Sequence, residues 1–180
     1  MANFKLDIEK SVHATLLVLN ELGGTTDFHK VFKILYFADQ KHLARYGRPV
    51  TGDSYVAMKN GPVPSNIYDI FKAIKSDSIF AEYGEQYASY FDVKFHFVTA
   101  KTTVDLEYLS ETDIECLSES IAENRNLDFN QLTYKSHDSA YNKSIKDDRI
   151  SLFDIAEGGG ANEAMLQYIH LNIENQRALN

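Results

Sequence analysis

A mainly α-helical α+β domain with a small antiparallel sheet is the fold class this sequence predicts. Apolar residues recur at helical spacing through most of the 180 residues. Extended patterns are confined to short stretches in the middle, near residues 51–59 and 93–106. Two capping-box patterns open helices in the last third. A chain of this length suits one folding unit with a substantial core.

Ile8, Val12, Leu16 and Leu19 predict a first helix, stopped by Gly23-Gly24. Thr25-Thr26-Asp27 supplies capping oxygens for a second. Its stripe of Phe28, Val31, Phe32, Leu35 and Ala38 is widened by Ile34, Tyr36 and Phe37 almost to a full circle. A helix apolar nearly all round belongs at the centre of a fold. Gly47-Arg48-Pro49 ends it.

Residues 51–59 read as an extended segment around Tyr55-Val56-Ala57-Met58, closed by the turn pair Asn60-Gly61. Pro62 and Pro64 then precede a helix marked by Ile67, Ile70, Phe71 and Ile74. Residues 79–90 fit no single pattern. Val93, Phe95 and Phe97 alternate with Lys94 and His96, which predicts one half-buried strand, with a second over 102–106 after a turn at Ala100-Lys101. Ser110 with Asp113, and Asp128 with Gln131, are the two capping boxes, with Leu109 and Leu127 placed to staple onto Ile114 and Leu132. Ile114, Leu117 and Ile121 mark the buried face of the first of these helices, with Cys116 off that stripe. Residues 143–149 form a charged connection. Ile150, Leu152 and Ile155 lead to Gly158-Gly159-Gly160, a flexible break before a last helix through Met165, Leu166, Ile169 and Ile173.

No apolar run approaches the ~20 residues that cross a bilayer. The N-terminus lacks a basic region followed by an apolar stretch, and the single cysteine, Cys116, has no internal partner. A cytoplasmic protein with no membrane contact is expected. The net charge of −8 argues against general nucleic-acid binding, which needs a basic surface. That charge is unevenly spread. Lys30, Lys33, Lys41, Arg45, Arg48, Lys59, Lys72 and Lys75 dominate residues 28–75, whereas acids dominate 105–128. The readings are two solvated helix faces of opposite sign or a dipolar surface that orients a charged partner.

The sequence holds no G-x-S-x-G, H-E-x-x-H, Walker or dinucleotide motif. The six histidines are scattered without ligand spacing, and Gly158-Gly159-Gly160 lacks the Lys-Ser/Thr of a phosphate loop. Neither enzymatic activity nor a cofactor or metal is expected. Four features demand more than packing. Asp39 ends an apolar run and needs a partner, which Arg48 or Lys59 could supply; an internal pair and an exposed recognition role both stay open. Gly47-Arg48-Pro49-Val50-Thr51-Gly52-Asp53 packs turn formers around two charges, with Asp53 placed for a local turn bond. Asn60-Gly61-Pro62-Val63-Pro64 is a rigid turn that fixes the fold or presents backbone groups to a partner. His137-Asp138-Ser139-Ala140-Tyr141 sets a histidine, a carboxylate and an aromatic just past a helix, where a cap is the simple explanation.

Lys33-Ile34-Leu35-Tyr36-Phe37-Ala38-Asp39, then residues 47–57, then Gly61-Pro62-Val63-Pro64 with Ile67-Tyr68-Asp69, resemble the Panacea domain, the SocA-like antitoxin family, in order and spacing. Leu109-Ser110 opening an acidic helix and the 137–141 block fit its later signature. The family motif ends in Trp where this chain has Tyr141. The likeness spans about residues 12–150, which divides the chain into a Panacea-like domain over 1–150 and a C-terminal extension over 151–180 with an amphipathic helix. The resemblance implies a bacterial or phage-associated antitoxin. Its partner would be a cognate protein toxin, masked directly or presented to a protease. The surface around the central helix end and the two Gly/Pro turns supplies the candidate partner-binding residues Lys33, Tyr36, Asp39, Arg48, Asp53, Tyr55, Lys59, Tyr68 and Asp69, with His137 and Tyr141 added. Each serves either interface or scaffold. The rivals are a nucleic-acid-binding transcriptional regulator built on the basic 28–75 region and an enzyme using Asp39, Asp53 or His137.

Overall fold

The computed structural model describes residues 4–75 and 81–178. The described elements run α1 (Ile8–Glu21), β1 (Thr25–Asp27), α2 (Phe28–Tyr46), β2 (Tyr55–Met58), β3 (Gly61–Pro64), α3 (Ser65–Lys75), α4 (Ala81–Tyr87), β4 (Phe91–Lys94) and β5 (Phe97–Ala100). A short 3-10 turn (Leu106–Tyr108) leads to α5 (Glu111–Asn124), α6 (Phe129–Ser136), α7 (Ser139–Lys143), α8 (Leu152–Gly158) and α9 (Glu163–Ala178). The mainly helical domain with a small antiparallel sheet is what the apolar periodicity predicts. Of the unassigned stretch 79–90, residues 79 and 80 lie outside the described residues, and the rest is largely α4.

Helix α2 is the axis. Asp27 caps its N-terminus by accepting from the His29 amide at 2.7 Å, and Gly47, at φ 68°, closes its C-terminus. It packs against α1, α5, α6, α8 and β3. Val31, Phe32, Ile34, Leu35 and Ala38 enter one core cluster with α1, α3 and α5. Tyr36, Phe37 and Leu43 enter a second with Ile150, Leu152, Ile155, Ile169 and Ile173. A helix apolar all round is thus buried on both sides, and each fully buried large side chain contributes ~1.5–3 kcal/mol.

Both capping boxes form, at Ser110/Asp113 and Asp128/Gln131. Cys116 is a correction: it is fully buried, not beside the buried stripe. Helix α5 faces both α1 and α2, so Cys116, Ser120 and Asn124 make a second buried row at four-residue spacing. Ser120 Oγ donates to the Ile34 carbonyl at 2.7 Å. Burial pushes the Cys116 thiol up to about 11, which leaves it unreactive at neutral pH.

The sheets differ from expectation in three places. Residues 93–97 are not one strand. Lys94 pairs with Phe97, so Phe95-His96 is a two-residue turn between β4 and β5. The alternation counted across that turn puts Val93 inside while Phe95 and Phe97 face out. No strand forms at 102–106; β1 takes that place beside β5 in the order β1-β5-β4. Gly61–Pro64 is a buried strand rather than a turn, paired antiparallel with β2 around Lys59-Asn60. Both prolines fall at positions that need no ladder donor.

The stretch 158–160 is not a free linker. A Cβ on Gly159 would lie 2.3 Å from the Gln40 carbonyl oxygen, so α8 rests directly on the α2 backbone. Only Gly160 has open space around it. Gly159→Ala should therefore cost ~1–3 kcal/mol, as overpacking does. A urea midpoint indistinguishable from wild type would show that this contact is not made.

Candidate functional site

His29, Lys33, Tyr36 and Gln40 occupy positions i, i+4, i+7 and i+11 of α2, one buried polar stripe along the helix. All four are buried and face the β2–β3 hairpin and the α6–α7 corner. Lys33 Nζ donates to the Pro62 carbonyl at 2.8 Å. His29 Nε2 lies 3.2 Å from the Asn60 carbonyl and 3.2 Å from Thr133 Oγ1. From the other side Tyr141 donates its hydroxyl to the Met58 carbonyl at 2.9 Å. The His137 ring stacks flat on Tyr141 at 4.1 Å, and its buried Nε2 has no hydrogen-bond partner. Three side chains from α2 and α7 thus hold the carbonyls at 58, 60 and 62.

Asp138 ties the corner to α2. It caps α7 by accepting from the Tyr141 amide at 3.0 Å, and accepts from Tyr36 Oη at 2.9 Å and Gln40 Nε2 at 2.8 Å. The hairpin turn presses onto this layer at Gly61, where φ is 98° and a Cβ would sit 2.3 Å from Ser136 Oγ. Only glycine fits.

Two further buried carboxylates fix the flanking loops. Asp39 takes no cation; the expected pairing with Arg48 or Lys59 does not occur. It accepts instead from the Val50 and Thr51 amides at 2.7 and 3.0 Å, from Thr51 Oγ1 at 2.7 Å and from Tyr55 Oη at 2.8 Å. Burial pushes its carboxyl up while these donors pull it down. Asp53 makes the expected local bond to the Ser54 amide at 2.7 Å, and also accepts from Asn66 and Ile67 at the start of α3. Burial raises it too, against the same kind of hydrogen bonding. Arg48 goes to buried Asp113 at 2.8 Å, which Lys10 also meets at 2.8 Å. Those bonds outweigh burial and hold the Asp113 carboxyl below the ordinary range.

Of the candidate residues, Lys33, Tyr36, Asp39, Asp53 and Tyr55 are therefore buried with internal partners. Lys59 and Asp69 are exposed, Asp69 in an ion pair with Lys72 at 2.6 Å. Arg48, Tyr68, His137 and Tyr141 are half-buried. His29 and Gln40 join the network without having been singled out, and their helical spacing with Lys33 and Tyr36 is the signal that marks them; Asp113 enters the sequence reading only as a capping-box residue and Asp138 only within the 137–141 block. Beside the hairpin, between α2, α3 and α6, lies a groove of about 610 Å³ floored by Phe32, Val63 and Tyr68. Among the described residues no group of three or more His, Cys, Asp or Glu is placed to hold a metal ion, and no helix is long and apolar enough to cross a membrane.

Part of the opposite charge of 28–75 and 105–128 is mutually paired. Lys41 pairs with Glu123 at 2.6 Å, and Arg45 with Glu115 at 3.1 Å and Glu119 at 2.6 Å, across the α2–α5 interface.

The family profile described as Antitoxin SocA-like, Panacea domain, matches residues 31–142, from α2 through α7, and the chain belongs to that family. No curated protein and no solved structure gives a significant match.

Burial lowers the Lys33 ammonium to about 7, and no carboxylate opposes it. In the unfolded chain this lysine holds its proton to about 10.4. Between these values the unfolded state binds the extra proton, so this group makes stability rise with pH by at most ~1.4 kcal/mol per unit. Below about 7 its penalty is complete and flat. Chemical denaturation of wild type and Lys33→Met at pH 7 and pH 9 should show wild type gaining relative to the variant. A constant difference would mean that Lys33 keeps its charge in the fold.

Proposed function

We propose that this Panacea-domain protein is an antitoxin that neutralises a protein toxin by direct binding in the bacterial cytosol. The family match over residues 31–142 carries this reading. The physical arrangement supports it. Buried carboxylates and the α2 stripe hold the β2–β3 hairpin and its flanking loops in one geometry, so a partner would meet a surface with little ordering entropy left to lose. The exposed Lys59 and Asp69, with the half-buried Arg48, Tyr68, His137 and Tyr141, are the candidate residues that a partner can reach without unfolding the chain. Tyr and Arg are frequent anchors of such surfaces. The buried members act from below, as scaffold. Neutralisation proceeds either by covering the toxin's working surface or by presenting the toxin to a protease.

The regulator reading fits less well. Lys41 and Arg45, which a recognition helix would offer to phosphates, are held by α5 carboxylates.

The test is co-expression with the neighbouring gene. Its product alone should arrest growth, this chain should relieve the arrest, and the two should co-purify. A harmless neighbour, or arrest that this chain leaves untouched, contradicts the proposal.

A further inference from the structure

Helix α2 and Tyr141 hold carbonyls of the β2–β3 hairpin, and the family match ends at residue 142. The outer edge of β2 is held by chain beyond that match. The Ala57 amide donates to the Asp148 carbonyl at 2.9 Å, the Asp147 amide to the Ala57 carbonyl at 2.9 Å, and the Ile150 amide to the Tyr55 carbonyl at 2.8 Å. Val56 is bridged antiparallel to Arg149. Tyr55 and Ala57 are 2% and 1% exposed, so these backbone groups have no water to turn to and need the bonds.

This strap is anchored at both ends. Ile150 sinks into the second core cluster with Tyr36 and Tyr55. Lys143, just before the strap, pairs with Asp154 and Glu157 in α8, just after it. Between the anchors the chain turns over residues 145–148, where the Asp148 amide donates to the Ile145 carbonyl at 3.1 Å. Asp147 takes the third position of that turn at φ 62°, a conformation open to Gly, Asn and Asp and costly for most other residues. Residues 145–149 are all exposed, so the turn rather than packing sets the direction of the strap. The Asp147 carboxylate itself meets only Lys146, at 3.9 Å.

We infer that residues 145–150 are a positioning strap for the partner-binding hairpin, acting through backbone bonds to β2 and set by the turn at Asp147. This rests on the neutralisation reading and extends the binding element past the family match. The hairpin loop is only Lys59-Asn60, so the course of β2 fixes the direction in which Lys59 leaves the surface. A hairpin held along one edge keeps the freedom to rock about α2. A second row of bonds on the opposite edge removes that freedom, and a partner then has less to order on binding.

The experiment compares full-length wild type, Asp147→Asn and Asp147→Val by amide exchange in the free protein and by calorimetric binding of the neighbouring gene's purified product. Asparagine keeps the turn and removes the charge, so it reports any direct contact by this carboxylate, which lines the groove. A β-branched residue is strained at positive φ. Asp147→Val should therefore free the strap. Its Ala57 amide should become at least tenfold less protected than the Ile121 amide in α5, which follows the fold as a whole, and affinity should fall at least tenfold. Asp147→Asn should stay within twofold of wild type in both. Loss of Ala57 protection with affinity unchanged overturns the positioning role and leaves neutralisation standing. Unchanged Ala57 protection in Asp147→Val overturns the strap itself. An equal loss of affinity in Asp147→Asn makes the carboxylate a direct contact and overturns the backbone role. No binding by wild type overturns the neutralisation reading, and this inference with it.

Discussion

The structure depends on how one helix resolves a conflict. Helix α2 is buried on nearly every side, yet it carries His29, Lys33, Tyr36, Asp39 and Gln40 into that interior. Buried polar groups are tolerated only when bonded. Their partners are the amides of residues 50–51, the carbonyls of Asn60 and Pro62, the hydroxyl groups of Thr51, Tyr55 and Thr133, and Asp138. Satisfying α2 therefore places the hairpin, its flanking loop and the α6–α7 corner in a single arrangement. Loss of any one partner leaves a buried donor or acceptor exposed to the full desolvation cost, which makes the network cooperative.

The same helix decides what the surface can offer. Its outer cations Lys41 and Arg45 are tied to α5 carboxylates, so they are not free to meet an anionic partner. What remains around the hairpin is a mixed rim: Lys59, Tyr68, Asp69 and the β4–β5 turn, standing on a layer that does not need to move. A binding module gains from such division of labour, because interior residues set geometry while rim residues set partner choice. In the α6–α7 corner Tyr141 fills the place where the family motif has Trp. Its hydroxyl, which a Trp ring lacks, is used on the Met58 carbonyl.

Much of the fold was legible in the sequence because long helices repeat one pattern many times. The centrality of α2, its end at Gly47 and both capping boxes are of this kind. The sheets were harder, since four-residue strands offer only two residues per face. The 93–97 alternation continued straight through a turn, and two prolines disguised β3, whose donors are not needed. For the site, residue types were visible but partners were not. Asp39 called for a partner, and the sequence offered cations; the fold supplied amides and hydroxyls, which are as effective for a carboxylate and need no second buried charge. Asp138, about a hundred residues from Tyr36 and Gln40, has no local signature beyond its role as a cap.

The central claim is that the hairpin is locked by side chains that grip its carbonyls. Native-state hydrogen exchange of the Ala57 and Ile67 amides, which donate to the Asp148 carbonyl and the Asp53 carboxylate, tests it most directly in the free protein. If the lock holds, these amides exchange only through global unfolding, with an opening free energy equal to that from denaturant. Exchange through a local opening several kcal/mol cheaper would mean the hairpin moves by itself, and the account of a preformed surface would fail.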